Sequence, residues 1–131
     1  MTGIIESYYD AFNHGDAERM LSLLADDVVH EPCQGSPRVG VGAFREFLDH
    51  MNRCYKEHAI EPRILYSPAE NHASAEFMLE GKYLKTDGDL PVAKGQHYRL
   101  RVGAFFDIAG NRITRVTNHY NLQDWIDQVS A

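Results

Sequence analysis

The sequence predicts an α+β fold, with helices first and a meandering antiparallel sheet after, and two observations carry that reading. Apolar residues recur at helical spacing in the first half, most clearly at Phe44, Phe47, Leu48, Met51 and Tyr55. In the second half they alternate, as Tyr98, Leu100, Val102, Ala104 and Phe106 do. Strands that follow one another through turns, instead of alternating with helices, belong to an antiparallel sheet.

The elements follow in order. Ile5, Tyr8, Tyr9 and Phe12 share one helical face, and Asn13-His14-Gly15-Asp16 ends the pattern. Gly15 suits a left-handed helix end and Asp16 the next N-cap. Met20, Leu23 and Leu24 mark a short second helix that ends near Ala25-Asp26-Asp27. Val28 and Val29 then start a strand running into His30-Glu31-Pro32, and a turn at Gly35-Ser36-Pro37 returns the chain as Arg38-Val39-Gly40. A third helix is expected over 42–55. Pro62 and Pro68 bracket Arg63-Ile64-Leu65-Tyr66, an edge-type strand.

Residues 74–85 and 96–107 read as two alternating strands joined by a loop at 86–94. Ala75, Phe77, Leu79, Gly81 and Tyr83 take one face of the first. Paired antiparallel, the two strands would set Glu76 and Glu80 against Arg99 and Arg101 on the outer face. Asp107-Ile108-Ala109-Gly110-Asn111 is a hairpin turn, 112–120 the last strand, and 121–129 a terminal helix closed by Trp125.

At 131 residues the chain is read as one domain, 1–131, large enough for a real core. A formal net charge of -6 argues against nucleic acid as partner, which would call for a basic patch. No apolar run approaches membrane-spanning length, and residues 1–18 lack the basic-then-apolar order of a leader, so no membrane partner and a cytoplasmic location are expected. Cys33 and Cys54 are the only cysteines and are read as reduced, part-buried residues. Seven histidines occur without an HExxH; His50 and Cys54, four apart on the third helix, make an incomplete site, and no metal is expected. There is no glycine-rich phosphate loop and no G-x-S-x-G, so no cofactor and no serine nucleophile are expected.

The stretches "YYDAFNHGDAERMLSLLADDVVHEP", "GVGAFREFL" and "GAFFDIAGNRITRVTNHYN" together span most of the chain. They resemble the cone-shaped fold of nuclear transport factor 2, ketosteroid isomerase and the SnoaL-like polyketide cyclases. Proteins called ketosteroid-isomerase-related are similar also in a "YNLQDW"-like final helix. The resemblance implies N-terminal helices packed on a curved antiparallel sheet around one pocket, and a homodimer formed through the exposed sheet face.

It also implies chemistry: a carboxylate base removes a proton beside a carbonyl while hydroxyl and acid donors hold the enolate oxygen. Tyr8 falls where the family places its oxyanion tyrosine. Glu31, before Pro32, falls where it places its base, although the chain is one residue short from Ala25-Asp26-Asp27, which leaves His30 as the alternative inward residue. The second oxyanion acid has no match: its position falls at Val102, and Asn118 and Tyr120 are the substitute donors considered. Phe12, Tyr55, Phe77, Tyr98 and Tyr120 are read as wall residues of an aromatic pocket, a role that core packing explains equally well.

The function expected is a cofactor-free isomerase, cyclase or lyase acting on a small part-apolar carbonyl compound by proton abstraction. A non-catalytic binding or dimerisation module is the first alternative. An epoxide hydrolase of the same fold ranks lower, because no inward Asp–Arg pair is evident.

Overall fold

The computed structural model describes residues 3–131; Met1 and Thr2, which begin the expected domain and the stretch examined for a leader, lie outside the described residues. The order is α1 (Ile4–Asn13), α2 (Ala17–Ser22), β1 (Leu24–Glu31), β2 (Arg38–Val39), α3 (Val41–Cys54), β3 (Tyr55–Tyr66), β4 (His72–Tyr83), β5 (His97–Ala109), β6 (Arg112–His119) and α4 (Leu122–Ser130). Six strands form one curved, unclosed sheet in the order β2-β1-β6-β5-β4-β3.

Every neighbouring pair is antiparallel except β1 and β6, so the sheet is mixed where the sequence suggested a purely antiparallel one. Most of the chain separates β1 from β6, so no hairpin fixes their relative direction. Gly15 takes a φ of 67°, and Asp16 accepts the Arg19 amide at 3.1 Å as the α2 cap. The helix is one turn shorter than its apolar spacing suggests. Leu24 already pairs with Ile113, and an irregular stretch follows before Val29 pairs with Arg115.

The larger departure is β3. It runs for 12 residues from Tyr55, and α3 stops at Cys54. A bulge between Ile60 and Arg63 holds Glu61 at a φ of 44° and Pro62. The extra residue switches which parity faces inward: Tyr55, Glu57 and Ala59 before it, Ile64 and Tyr66 after it. Pro62 is tolerated because β3 is an edge strand.

The helices pack on the inner face. Tyr8 and Tyr9 of α1 meet Phe106 edge-on, with centroids 5.5 and 6.0 Å away, and Tyr9 meets Phe77 at 4.9 Å. Outside, Arg99 pairs with Glu80 at 3.2 Å and Arg101 with Glu76 at 2.7 Å, as the sequence suggested. These pairs are exposed and each contributes at most about 1 kcal/mol.

β6 pairs with β5 only from Gly103 onward, which leaves the first half of β5 with a free edge. The last helix covers it. Gln128 accepts the Arg99 amide at 2.9 Å and donates to the Arg99 carbonyl at 2.7 Å, taking the place of a strand. Among the described residues no helix is long and apolar enough to cross a membrane.

Candidate active site

At the end of the sheet covered by α4, three inward positions share one row: Glu57 on β3 faces Gly81 on β4, which faces Tyr98 on β5. Two strand spacings separate the outer members, about 10 Å of backbone. Tyr98 spans that gap because the middle position has no side chain. A Cβ on Gly81 would fall within the Tyr98 ring, against its Cζ, Cε2 and hydroxyl. The hydroxyl donates to Glu57 Oε2 at 2.6 Å.

Burial pushes the Glu57 carboxyl up to about 6, and the Tyr98 hydrogen bond holds it from rising further. Part of the residue's surface nevertheless remains accessible. Burial first, and then the Glu57 carboxylate, drives the Tyr98 phenol far above its ordinary value, so it stays a donor.

The next row is aromatic. Tyr55 stacks on Tyr83 with centroids 5.4 Å apart and planes 13° from parallel. Trp125 of α4 stands edge-on to Tyr83 at 4.9 Å and closes over Tyr55 and Tyr98 as well. The Tyr83 hydroxyl donates to the Pro91 carbonyl at 2.7 Å and accepts the Asp87 amide at 2.9 Å, which ties down the loop between β4 and β5.

That loop delivers Asp87. Its Oδ2 accepts the Tyr55 hydroxyl at 2.6 Å, and its Oδ1 lies 2.8 Å from His50 Nε2. Cys54 Sγ joins them: the donor atoms of His50, Cys54 and Asp87 all lie within 4.8 Å of one another. Burial, then the Asp87 carboxylate, raises the Cys54 thiol. Tyr120 follows β6 on the same side of the sheet. Burial, followed by the nearby charges of Cys33, Glu57 and Asp87, pushes its phenol up to about 12. Its carbonyl accepts Cys33 Sγ at 3.3 Å.

The site residues anticipated from sequence are divided by this geometry. Tyr55, Tyr98 and Tyr120 gather around Glu57. Phe77 and Val102 pair across β4 and β5 farther along the inner face, with Phe12 beyond Tyr9 and Asn118 beside Ala104. Tyr8 is buried against Phe106, eight residues along β5 from Tyr98, or roughly 26 Å of extended strand. Tyr8 therefore sits against a different row of the inner face from Glu57.

Glu31 lies on the other face. It stands beside Thr117, which stands beside Phe105, in an outward row. Thr117 donates to it at 2.6 Å and Arg115 lies 3.5 Å away, itself paired with Asp107 at 2.7 Å, while His72 reaches Asp107 at 3.1 Å. Side chains alternate along a strand, so an inward His30 requires an outward Glu31. His30 is 1% exposed and sits 4.5 Å from both Phe44 and Phe47, with neither ring nitrogen hydrogen-bonded. Burial, then the Arg38 charge, lowers it to about 4, so the ring is neutral.

Glu57 and Asp87 escaped the sequence reading. Glu57 was two residues past a misplaced helix end, in phase with Tyr55. Gly81, inside an alternating strand, was the readable sign of a close approach. Asp87 sits in a loop, where spacing carries no signal. A surface crevice of about 390 Å³ between Leu21, Ala25, Val41 and Arg112 opens at the far end of the sheet and contains neither residue.

A family model for the SnoaL-like domain matches residues 5–116. A "putative polyketide cyclase" from Pseudomonas putida superposes with a TM-score of 0.95 at 44% identity, covering 96% of this chain and 95% of its own. A Silicibacter protein of the same name gives 0.95 at 48% identity, over 98% and 93%. An NTF2-like protein from Burkholderia pseudomallei shares the fold at 15% identity, with a TM-score of 0.81 over 98% and 95%.

Proposed function

Because the chain belongs to the SnoaL-like domain family, we propose that it is an isomerase, cyclase or lyase in which Glu57 abstracts a proton beside the carbonyl of a small, part-apolar substrate. The observation that carries this reading is the Glu57 carboxyl itself. It is desolvated to a pKa of about 6, partly accessible, and fixed by a phenol at the aromatic end of the inner face. A base poised near working pH combines a large ionised fraction with real proton affinity, and such catalysis contributes about 10²–10⁴-fold.

In this mechanism ionised Glu57 takes the carbon-bound proton while the C–H electron pair moves into the carbonyl. The Tyr120 hydroxyl donates to the oxygen where charge develops. The part-exposed rings of Tyr55 and Tyr120 face the ligand, with Tyr83 and Trp125 packed behind them. Protonated Glu57 then returns the proton to another carbon, or the enolate carbon attacks a second carbonyl and Glu57 gives its proton to the alkoxide that forms. Tyr98 holds the carboxylate in one orientation throughout. The role first assigned to Glu31 passes to Glu57, and no step uses Tyr8 or His30.

The outer face, with Leu65 71% and Phe105 39% exposed, is the surface through which two copies would pair.

Deuterium wash-in tests the reading. Wild type, Glu57→Gln and Glu31→Gln are incubated with cyclic ketones and enones in heavy water, and exchange at the carbon beside the carbonyl is followed. Exchange that disappears in Glu57→Gln and persists in Glu31→Gln is expected. Exchange that survives the loss of Glu57, or a ligand that binds wild type without exchanging, contradicts it.

A further inference from the structure

The junction of α3 with the β4–β5 loop brings together three side chains of different ligating type. His50 and Cys54 are one helical turn apart on α3, so both project from one face. Asp87 comes from the loop, and the three donor atoms lie within 4.8 Å of one another. Bond lengths of about 2.0–2.3 Å place neighbouring donors on a tetrahedral zinc roughly 3.3–3.7 Å apart. Small side-chain movements would therefore admit an ion, which would separate the His50–Asp87 contact of 2.8 Å and draw the thiolate in.

The backbone beneath is already fixed. The Cys54 carbonyl accepts the amides of Leu84 at 2.8 Å and Lys85 at 3.3 Å, which anchors the loop two residues before Asp87. The Tyr55 hydroxyl on Asp87 Oδ2 orients the carboxylate from the side away from His50, as outer partners of metal ligands do. The site is also reachable from solvent, since the His50 side chain is 45% exposed and Asp87 22%.

We propose that His50, Cys54 and Asp87 form a binding site for a divalent transition-metal ion of the zinc type. Thiolate, imidazole and carboxylate together suit Zn²⁺ or Co²⁺ over Mg²⁺ or Ca²⁺, which take oxygen donors. Three protein ligands leave a fourth position open toward solvent. The bound ion would clamp the β4–β5 loop to α3. This binding is independent of the role of Glu57.

Co²⁺ serves as the probe, titrated into the protein kept reduced without added thiol, and followed by its sulfur-to-cobalt charge-transfer absorption. One Co²⁺ per chain, displaced by Zn²⁺, is expected for wild type and for Cys33→Ser, with the band lost in Cys54→Ser and binding weakened in Asp87→Asn. Circular dichroism verifies the fold of each variant. Asp87→Asn, which retains oxygen and nitrogen for its hydrogen bonds, covers the case in which Cys54→Ser does not fold. Absence of the band in wild type, a band that depends on Cys33, or binding indifferent to Asp87 overturns the proposal.

Discussion

Tyr98 reaches Glu57 across an intervening strand, its hydroxyl 2.6 Å from the carboxylate, because Gly81 leaves the space between them empty. One glycine therefore sets the geometry of the candidate base without touching a ligand.

Gly81→Ala is expected to displace the Tyr98 ring and break its hydrogen bond to Glu57. Overpacking of this kind costs about 1–3 kcal/mol. Thermal and urea unfolding measure the loss. A variant as stable as wild type would contradict the packing of Tyr98 over Gly81.

Glu57→Gln should remove activity while stabilising the fold. The folded-state pKa of about 6 lies above the ordinary 4.5, so the folded protein binds this proton more tightly than the unfolded chain does. Its stabilising contribution is complete below about 4.5 and is lost as pH rises through about 6. The difference corresponds to about 2 kcal/mol. Denaturant titrations should show the variant more stable than wild type near neutral pH, with the two converging toward pH 4.

His30 works with the opposite sign. Its pKa falls from 6.5 to about 4 on folding, so it contributes stability that is present above about 6.5 and lost as pH falls through about 4. The amount is about 3 kcal/mol. His30→Met, which fills the space between Phe44 and Phe47 without a titrating ring, should flatten the acid limb of the stability–pH curve. An unchanged acid limb would contradict this account of His30.

Glu31→Gln is expected to be nearly silent. The side chain is 42% exposed in a surface network, where such pairs contribute about 0–1 kcal/mol. Exchange rates should stay close to wild type, and unfolding should shift by no more than about 1 kcal/mol. A large loss of exchange would return the catalytic role to Glu31.

Long-period patterns made most of the fold legible. The stripe of Phe44, Leu48 and their neighbours, the alternation of Phe77 with Leu79 and of Tyr98 with Leu100, and the Gly15-Asp16 boundary all describe elements that exist. Two local effects hid the site. The helical stripe of α3 continues in register through Tyr55, which is already strand, so Tyr55 and Glu57 could not be placed on one face. The Pro62 bulge then broke the alternation that would have disclosed β3. Parity could have decided between His30 and Glu31, but only with the strand register fixed by Thr117 on β6, a partner 86 residues away.

The most direct measurement is a carbon-13 titration of the Glu57 side-chain carboxyl in wild type and in Tyr98→Phe. A midpoint near 6 in wild type is predicted, moving upward in Tyr98→Phe because the lost hydrogen bond favours the charged form. A wild-type midpoint in the ordinary carboxylate range, unmoved by the loss of Tyr98, would contradict the account of Glu57 as the poised base.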